Sequence, residues 1–199
     1  MNTAPAAGRR GRPRSEAARR AILEAAAQLM LEAGPGEVSM DAVAERAGVS
    51  KATIYRWWPS KERLALDALY ETWAEVQRPV PDTGSLHGDL LALIRPWVRL
   101  LASRPFGRVM AALLAQVQSD QEFAEEYRER FVEPRRDQAR DIFARAIARG
   151  EIPADTEMEV ALDLLYGPVY HRLLHGHQPL NDAFVRALVD GVVAAVGAG

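Results

Sequence analysis

The chain has 199 residues, 48% of them apolar, a formal net charge of −2 and no cysteine. That composition provides for one large or two small cores. It excludes disulfides, thiol nucleophiles and zinc fingers, and it fits a reducing cytoplasm. The longest stretch without a charged residue, Val109 to Ser119, is too short to cross a bilayer, so no membrane partner is expected. The basic N-terminus lacks the apolar run of a signal peptide.

Residues 1–14 carry Arg9, Arg10, Arg12 and Arg14 with no acid and no apolar period, which predicts a disordered basic arm. From about Ser15 to Ala33, Ile22, Ala26, Leu29 and Ala33 recur on one helical face, and Gly34-Pro35-Gly36 ends the helix. Ser39 can cap a second helix with Met40, Val43, Ala44 and Ala47 on its apolar side. Gly48 suits the left-handed residue that closes such a helix, and Val49 is expected in the core. Ser50 can cap a third, short helix carrying Lys51, Ala52, Thr53, Ile54, Tyr55 and Arg56. Two short helices across a tight turn make a helix-turn-helix, whose second helix enters the DNA major groove.

Roles within this segment should differ. Lys51, Ala52, Thr53 and Arg56 are placed to reach base edges, with Arg56 able to pair bidentately with guanine. Ser39, Ser50 and Trp57 complete the candidate DNA contacts. Trp57 and Trp58 are adjacent, so one helix face cannot bury both; Trp58 is expected inside and Trp57 at the surface. A fourth helix, Lys61 to about Gln77, is the natural lever between the reading head and the rest of the chain. Arg9, Arg10, Arg12 and Arg14 flank Gly11-Arg12-Pro13, a sequence similar to an AT-hook and suited to a narrow minor groove.

Charge is unevenly distributed. Residues 1–63 hold eleven Lys or Arg against seven Asp or Glu, and residues 64–199 hold fourteen against twenty. The first part is therefore net positive and the second net negative, and phosphate contacts need only local positive charge. The expected domains are the arm at 1–14, a helix-turn-helix unit at 15–77, a Pro-rich linker at 78–85, and a C-terminal helical domain at 86–199. In that last part helices are expected at about 86–103, 105–118, 121–149, 156–175 and 181–197. Pro96 is expected to kink the first and Pro134 to bend or split the third. No strand pattern and no internal repeat is present, so the fold class is all-α.

Several of these residues carry a family resemblance. Ile22-Leu23 through Gly34, Ala47-Gly48-Val49-Ser50, Thr53-Ile54-Tyr55, Trp58 and Lys61-Glu62 resemble the DNA-binding domain of the TetR family of transcriptional regulators, over roughly residues 15–65. Trp58 stands where Phe is more usual. The segments Phe131-Val132-Glu133-Pro134-Arg135-Arg136 and Leu164-Leu165-Tyr166-Gly167-Pro168 are similar to one subgroup of that family. The resemblance implies that Tyr55 and Lys61 hold phosphates. It also implies a homodimer on a palindromic operator, a small-molecule effector and, most simply, a repressor.

The candidate effector pocket comprises Trp97, Phe106, Met110, Leu113, Phe123, Tyr127, Tyr166 and Tyr170. The candidate dimer seam takes Leu162, Leu165, Val169 and Leu173 from one helix and Phe184, Leu188, Val192 and Ala195 from the last. Gly167-Pro168 is expected to interrupt the first of these helices. The alternative from another class is a metal-dependent hydrolase built on His171, His175 and His177. It lacks a His-Glu-x-x-His spacing, so no metal, cofactor or catalytic residue is expected.

Overall fold

The computed structural model describes residues 12–33, 38–74, 79 and 81–197, with the side chains of 16–32, 38–71, 79 and 81–197. All secondary structure among them is helical. The chain forms two compact units, Met1–Glu71 and Thr72–Gly199.

In the first unit, α1 (Arg12–Ala33) starts about three residues before the expected boundary at Ser15. It packs on α2 (Met40–Ala47), followed by α3 (Lys51–Tyr55) and α4 (Lys61–Ala74). The core rests on Ile22, Val43, Ile54 and Leu66, none of which has any accessible surface. Val49, expected in this core, is only half-buried, because the turn leaves one side of it at the surface. Leu29 is half-buried as well, and Met30 takes the buried place beside it. The arm residues Arg9 and Arg10 lie outside the described residues, as do the side chains of Arg12, Arg14 and Ala33.

The second unit is built round α5 (Leu86–Ala102), which packs against α6 (Arg104–Val117), α8 (Glu133–Ala148), α9 (Met158–His175) and α10 (Asp182–Gly197). Leu90, Ile94, Trp97 and Leu101 recur at helical spacing on its buried face. The helix runs through Pro96 as one element. Asp89, one turn inside it, is fully buried and anchors the preceding segment. It accepts hydrogen bonds from the Thr83 backbone N–H (2.6 Å) and hydroxyl (2.7 Å), and from Arg145 (3.1 Å). Burial pushes this carboxyl up, but the Thr83 and Arg145 bonds outweigh it and hold it below the usual carboxylate range. Gly88 is required here, since a Cβ would fall 2.3 Å from the Thr83 hydroxyl.

The expected helix 121–149 is three elements. After α7 (Gln121–Tyr127) the backbone widens into a π-helical turn at Arg128–Val132, and α8 begins at Glu133. Pro134 is the physical cause: it has no N–H to continue the α-helical ladder, so it is accommodated at the start of a new helix. By contrast α9 is continuous through Gly167-Pro168, against the expected interruption. The hydrogen bond that Pro168 cannot donate falls near exposed Leu164 and Gly167, where water can satisfy the carbonyl.

The proposed dimer seam needs correction. Leu162, Leu165 and Val169 have no accessible surface, and Phe184, Leu188 and Val192 are buried within the subunit's own core. Leu173 is half-buried and only Ala195 is exposed. The apolar stripe read from the sequence is thus the face that α9 and α10 turn inward. Their outward face carries Val160, Leu164, Gly167 and Leu174 on α9, with Ala187, Gly191 and Ala194 on α10.

Candidate nucleic-acid interface and C-terminal cavity

The reading head is set by caps rather than by helix length. A five-residue helix is not stable alone. Ser39 accepts from the Ala42 N–H at 3.1 Å and fixes the start of α2. Gly48, at φ 65°, closes α2 in the left-handed conformation that glycine adopts without steric cost. Ser50 accepts from the Thr53 N–H at 3.2 Å, and its hydroxyl lies 2.9 Å from that of Thr53. Ile54, fully buried, pins α3 to the core.

With Ile54 inward, the opposite face of α3 points out. Lys51, Ala52, Tyr55, Arg56 and Trp57 are all exposed, and Thr53 is half-buried. Trp58 is 3% exposed and Trp57 38%, as their adjacency requires. The Trp58 indole N–H donates to Asp67 on α4 at 2.7 Å, which ties the end of the reading head to the next helix. Arg19 of α1 reaches the same Asp67 carboxylate at 3.8 Å. Ser39, Ser50 and Lys61 are exposed near the helix starts. Lys51 is engaged with Asp41 of α2 at 2.6 Å, and the hydrogen bond raises its pKa. An approaching phosphate or base would exchange this exposed, weak pair for a stronger one. Ser50 and Thr53, by contrast, have internal duties as a cap, so they are less free for DNA than Arg56.

In the second unit a cavity of about 200 Å³ is lined by Val132, Arg135, Arg136, Asp163, Tyr166, Gly167 and Tyr170. Of the eight sequence candidates, Tyr166 and Tyr170 are in its wall. Trp97, Tyr127 and Met110 form the layer behind. Trp97 meets Tyr166 and Tyr170 edge-on, each at 5.5 Å, and the Tyr127 hydroxyl lies 3.3 Å from that of Tyr170 and 3.4 Å from the Met110 sulfur. Phe106, Leu113 and Phe123 are buried and do not line this cavity. Burial raises Tyr127 and Tyr166 above the ordinary phenol value, so both remain neutral.

Sequence reasoning missed Arg135. It follows from the π turn and Pro134 that this side chain folds back: its Nε donates to the Phe131 carbonyl at 2.7 Å. The guanidinium then lies over the Trp97 ring at 4.6 Å and donates to the Tyr170 hydroxyl at 2.8 Å. The Tyr166 hydroxyl closes the arrangement on the Arg135 carbonyl at 2.7 Å. A usable signal was present. The two C-terminal segments singled out in the sequence supply Val132, Arg135 and Arg136 on one side of the cavity and Tyr166 and Gly167 on the other.

The histidines do come together. His171 has ring centroids 4.6 Å from His175 and 4.8 Å from His177, all three exposed. Among the described residues, however, no group of three or more His, Cys, Asp or Glu is arranged to hold a metal ion. The hydrolase alternative gains no support.

Two family models match the chain. "Bacterial regulatory proteins, tetR family" matches residues 22–68, and "Tetracyclin repressor-like, C-terminal domain" matches residues 80–192. The HTH-type transcriptional regulator YdeS of Bacillus subtilis is 44% identical over 190 residues, covering 96% of this chain and 95% of its own. The DNA-binding transcriptional repressor TetR of Mycobacteroides abscessus is 33% identical over 180 residues, covering 90% and 94%. The crystal structure of the TetR family transcription regulator SCO0332 superposes with a TM-score of 0.74 at 38% identity, covering 90% of this chain and 98% of that one. No helix among the described residues is long and apolar enough to cross a membrane. Two family models, these relatives and the superposed structure agree, and the chain belongs to the TetR family of transcriptional regulators.

Proposed function

We propose that the chain is a homodimeric repressor that binds a palindromic operator and releases it when a small molecule occupies the C-terminal unit. The observation that carries this reading is the outward face of α3. Five side chains, Lys51, Ala52 and Tyr55 on α3 with Arg56 and Trp57 in the turn that follows, are exposed round one buried anchor, Ile54. On this reading Arg56 and Ala52 read bases, while Tyr55 and Lys61 hold phosphates. Arg9 and Arg10 add minor-groove or phosphate contacts from the arm. One short helix reads too few base pairs for useful specificity, so two copies must act together.

The copies would meet through the outward faces of α9 and α10. Leu164 and Leu174 are 43% and 54% exposed there, which is unusual for large apolar side chains. Gly167 and Gly191 sit mid-helix with open space where a Cβ would be. A mid-helix glycine costs roughly 1 kcal/mol against alanine, and close approach of a second helix would account for keeping it. The similarity to the M. abscessus repressor supports repression as the output. Effector binding would act by differential affinity for two conformations, with α4 as the lever.

Selection of bound duplexes from a random pool tests the reading. Dyad-symmetric sequences with half-site centres roughly one helical turn apart, or slightly more, are expected. Placed across a promoter, such a site should lower transcription in vitro when the protein is added. Selected sequences without symmetry would remove the dimer, and increased transcription would remove the repressor.

A further inference from the structure

Resting on the reading of Arg56 as a base contact, we propose that Asp67 is a positioning residue for sequence readout. Through the Trp58 indole it fixes the angle at which the recognition helix presents Arg56. A helix this short needs an external brace. Lys51–Tyr55 makes little more than one turn, and Arg56 lies at its C-terminal cap. Ser50 holds the N-terminal end through the Thr53 N–H, and Ile54 pins the middle to the core. A body held at two points can still turn about the line that joins them.

Trp58 supplies the third point. Its backbone N–H donates to the Ile54 carbonyl at 2.9 Å, as does that of Trp57, so the residues after α3 continue its last turn as one piece. Its ring is buried, but apolar burial alone does not fix a direction. The hydrogen bond does. The indole N–H donates to Asp67 at 2.7 Å, and a bond from a buried donor to a carboxylate is short and directional. An indole has only this one donor. Asp67 is held in turn. Arg19 of α1 approaches its carboxylate at 3.8 Å and reaches Glu71, one turn further along α4, at 3.8 Å. The same guanidinium lies 6.0 Å from the centre of the Trp58 ring. The end of the recognition helix, α4 and α1 thus meet at one carboxylate.

The consequence falls on Arg56, which is exposed and lies two residues before Trp58. Bidentate pairing with a guanine edge requires the guanidinium to lie close to the plane of the base. A phosphate contact tolerates more slack, because attraction between charges depends on distance rather than on direction. Loosening the brace should therefore reduce specific binding and spare non-specific binding.

The test measures, for each full-length variant, Tm and the affinity for a selected operator and for an unrelated duplex of equal length at equal salt. Asp67→Leu removes the acceptor at a half-buried helix position that leucine suits. It should lower the ratio of specific to non-specific affinity by about tenfold, within the range that one misplaced base contact costs. Non-specific affinity should stay within about twofold of the wild type, because the phosphate contacts remain. Asp67→Asn keeps a carbonyl oxygen to accept from the indole and should restore most of the ratio. Trp58→Phe keeps a buried ring without the N–H and should reproduce the loss seen in Asp67→Leu, and the double variant should lose no more than either alone. Should Trp58→Phe fail to fold, the two Asp67 variants carry the test by themselves. A lower Tm with an unchanged ratio would make the bond structural only and overturn the proposal. Equal loss on both duplexes, or additive losses in the double variant, would overturn it too. Arg56→Ala separates the two claims. If it changes base preference while Asp67→Leu does not alter the ratio, Arg56 reads DNA without this brace. If Arg56→Ala leaves base preference unchanged, the base-contact reading fails and this proposal fails with it.

Discussion

The two units use their aromatic residues in opposite directions. In the reading head one indole, Trp58, is buried as structure, while Tyr55 and Trp57 are turned out. In the C-terminal unit Trp97, Tyr127 and Tyr166 are turned in, with a guanidinium laid over the indole. On the proposed function, the contrast follows from what each unit would recognise. A DNA groove is reached by a convex surface, so a small core suffices to hold up an exposed helix. A small molecule is recognised by enclosure, which takes walls from helices distant in sequence. The first unit should therefore tolerate changes on its outer face without loss of fold. The second should couple nearly every wall residue to its stability.

The largest effect expected is on assembly. Leu164→Glu places a charge on the outward face of α9, where the isolated subunit can solvate it and a dimer cannot. A buried unpaired charge costs about 3–5 kcal/mol, so sedimentation should shift from twice the 22.0 kDa chain mass to the chain mass, with DNA binding lost. Leu188→Glu, on the inward face, should instead unfold the C-terminal unit by circular dichroism. If Leu164→Glu stays dimeric, the two copies meet elsewhere.

Next comes the division of labour on the reading head. Arg56→Ala should lower affinity for the selected site by about 10- to 100-fold, from 1–3 kcal/mol per bidentate pair, and relax preference at one base pair per half-site. Lys61→Ala should weaken all sequences alike and reduce the salt slope by about one unit per lost contact. A change of base preference in Lys61→Ala would exchange the two roles. Both variants should unfold at the wild-type temperature, because both side chains are exposed.

Asp89→Asn probes the opposite case, a polar group with no exposure. It should cost about 2 kcal/mol, because hydrogen bonds to a buried charge are lost and Arg145 keeps only Asp82, at 3.9 Å, as an ionic partner. The pH dependence has a definite sign. The folded carboxyl lies below its unfolded value, so its contribution is complete above the unfolded pKa of about 3.9 and disappears as pH falls through the folded pKa. Acid unfolding should therefore be less steep in Asp89→Asn than in the wild type. Equal steepness would show that the Thr83 clamp does not contribute to stability.

The smallest effect concerns the arm. Deleting residues 1–11, which end just before α1, should leave the fold intact and lower affinity a few-fold, most where A·T tracts flank the site. Equal loss on every flank would reduce Arg9 and Arg10 to general phosphate attraction.

How much could be read from the sequence follows the same contrast. The helix-turn-helix is a local object: Ser39, Gly48, Ser50 and Ile54 each act on neighbours within a few residues, so their spacing alone announces them. Trp57 and Trp58 were separable because adjacent side chains, here just past the end of α3, cannot both face the same core. The cavity is not local. Arg135 and Tyr170 are 35 residues apart, and no periodicity links them. Arginine also reads as a surface residue until a turn of backbone buries it, and that turn depended on how Pro134 would be accommodated. The seam on α9 and α10 failed for a related reason. Their apolar stripes marked a buried face, but the subunit's own core uses it, and the outward face is marked by glycine, alanine and isolated leucines that no hydrophobic period reveals.

The central claim is that two recognition helices act together on one operator. Fluorescence anisotropy can compare the wild-type affinity for a selected full palindrome with that for a duplex carrying one half-site. A dimeric reader loses half of its contacts on the shorter duplex, so affinity should fall by at least 100-fold at equal salt. Equal affinity for the half-site and the full palindrome would contradict the account.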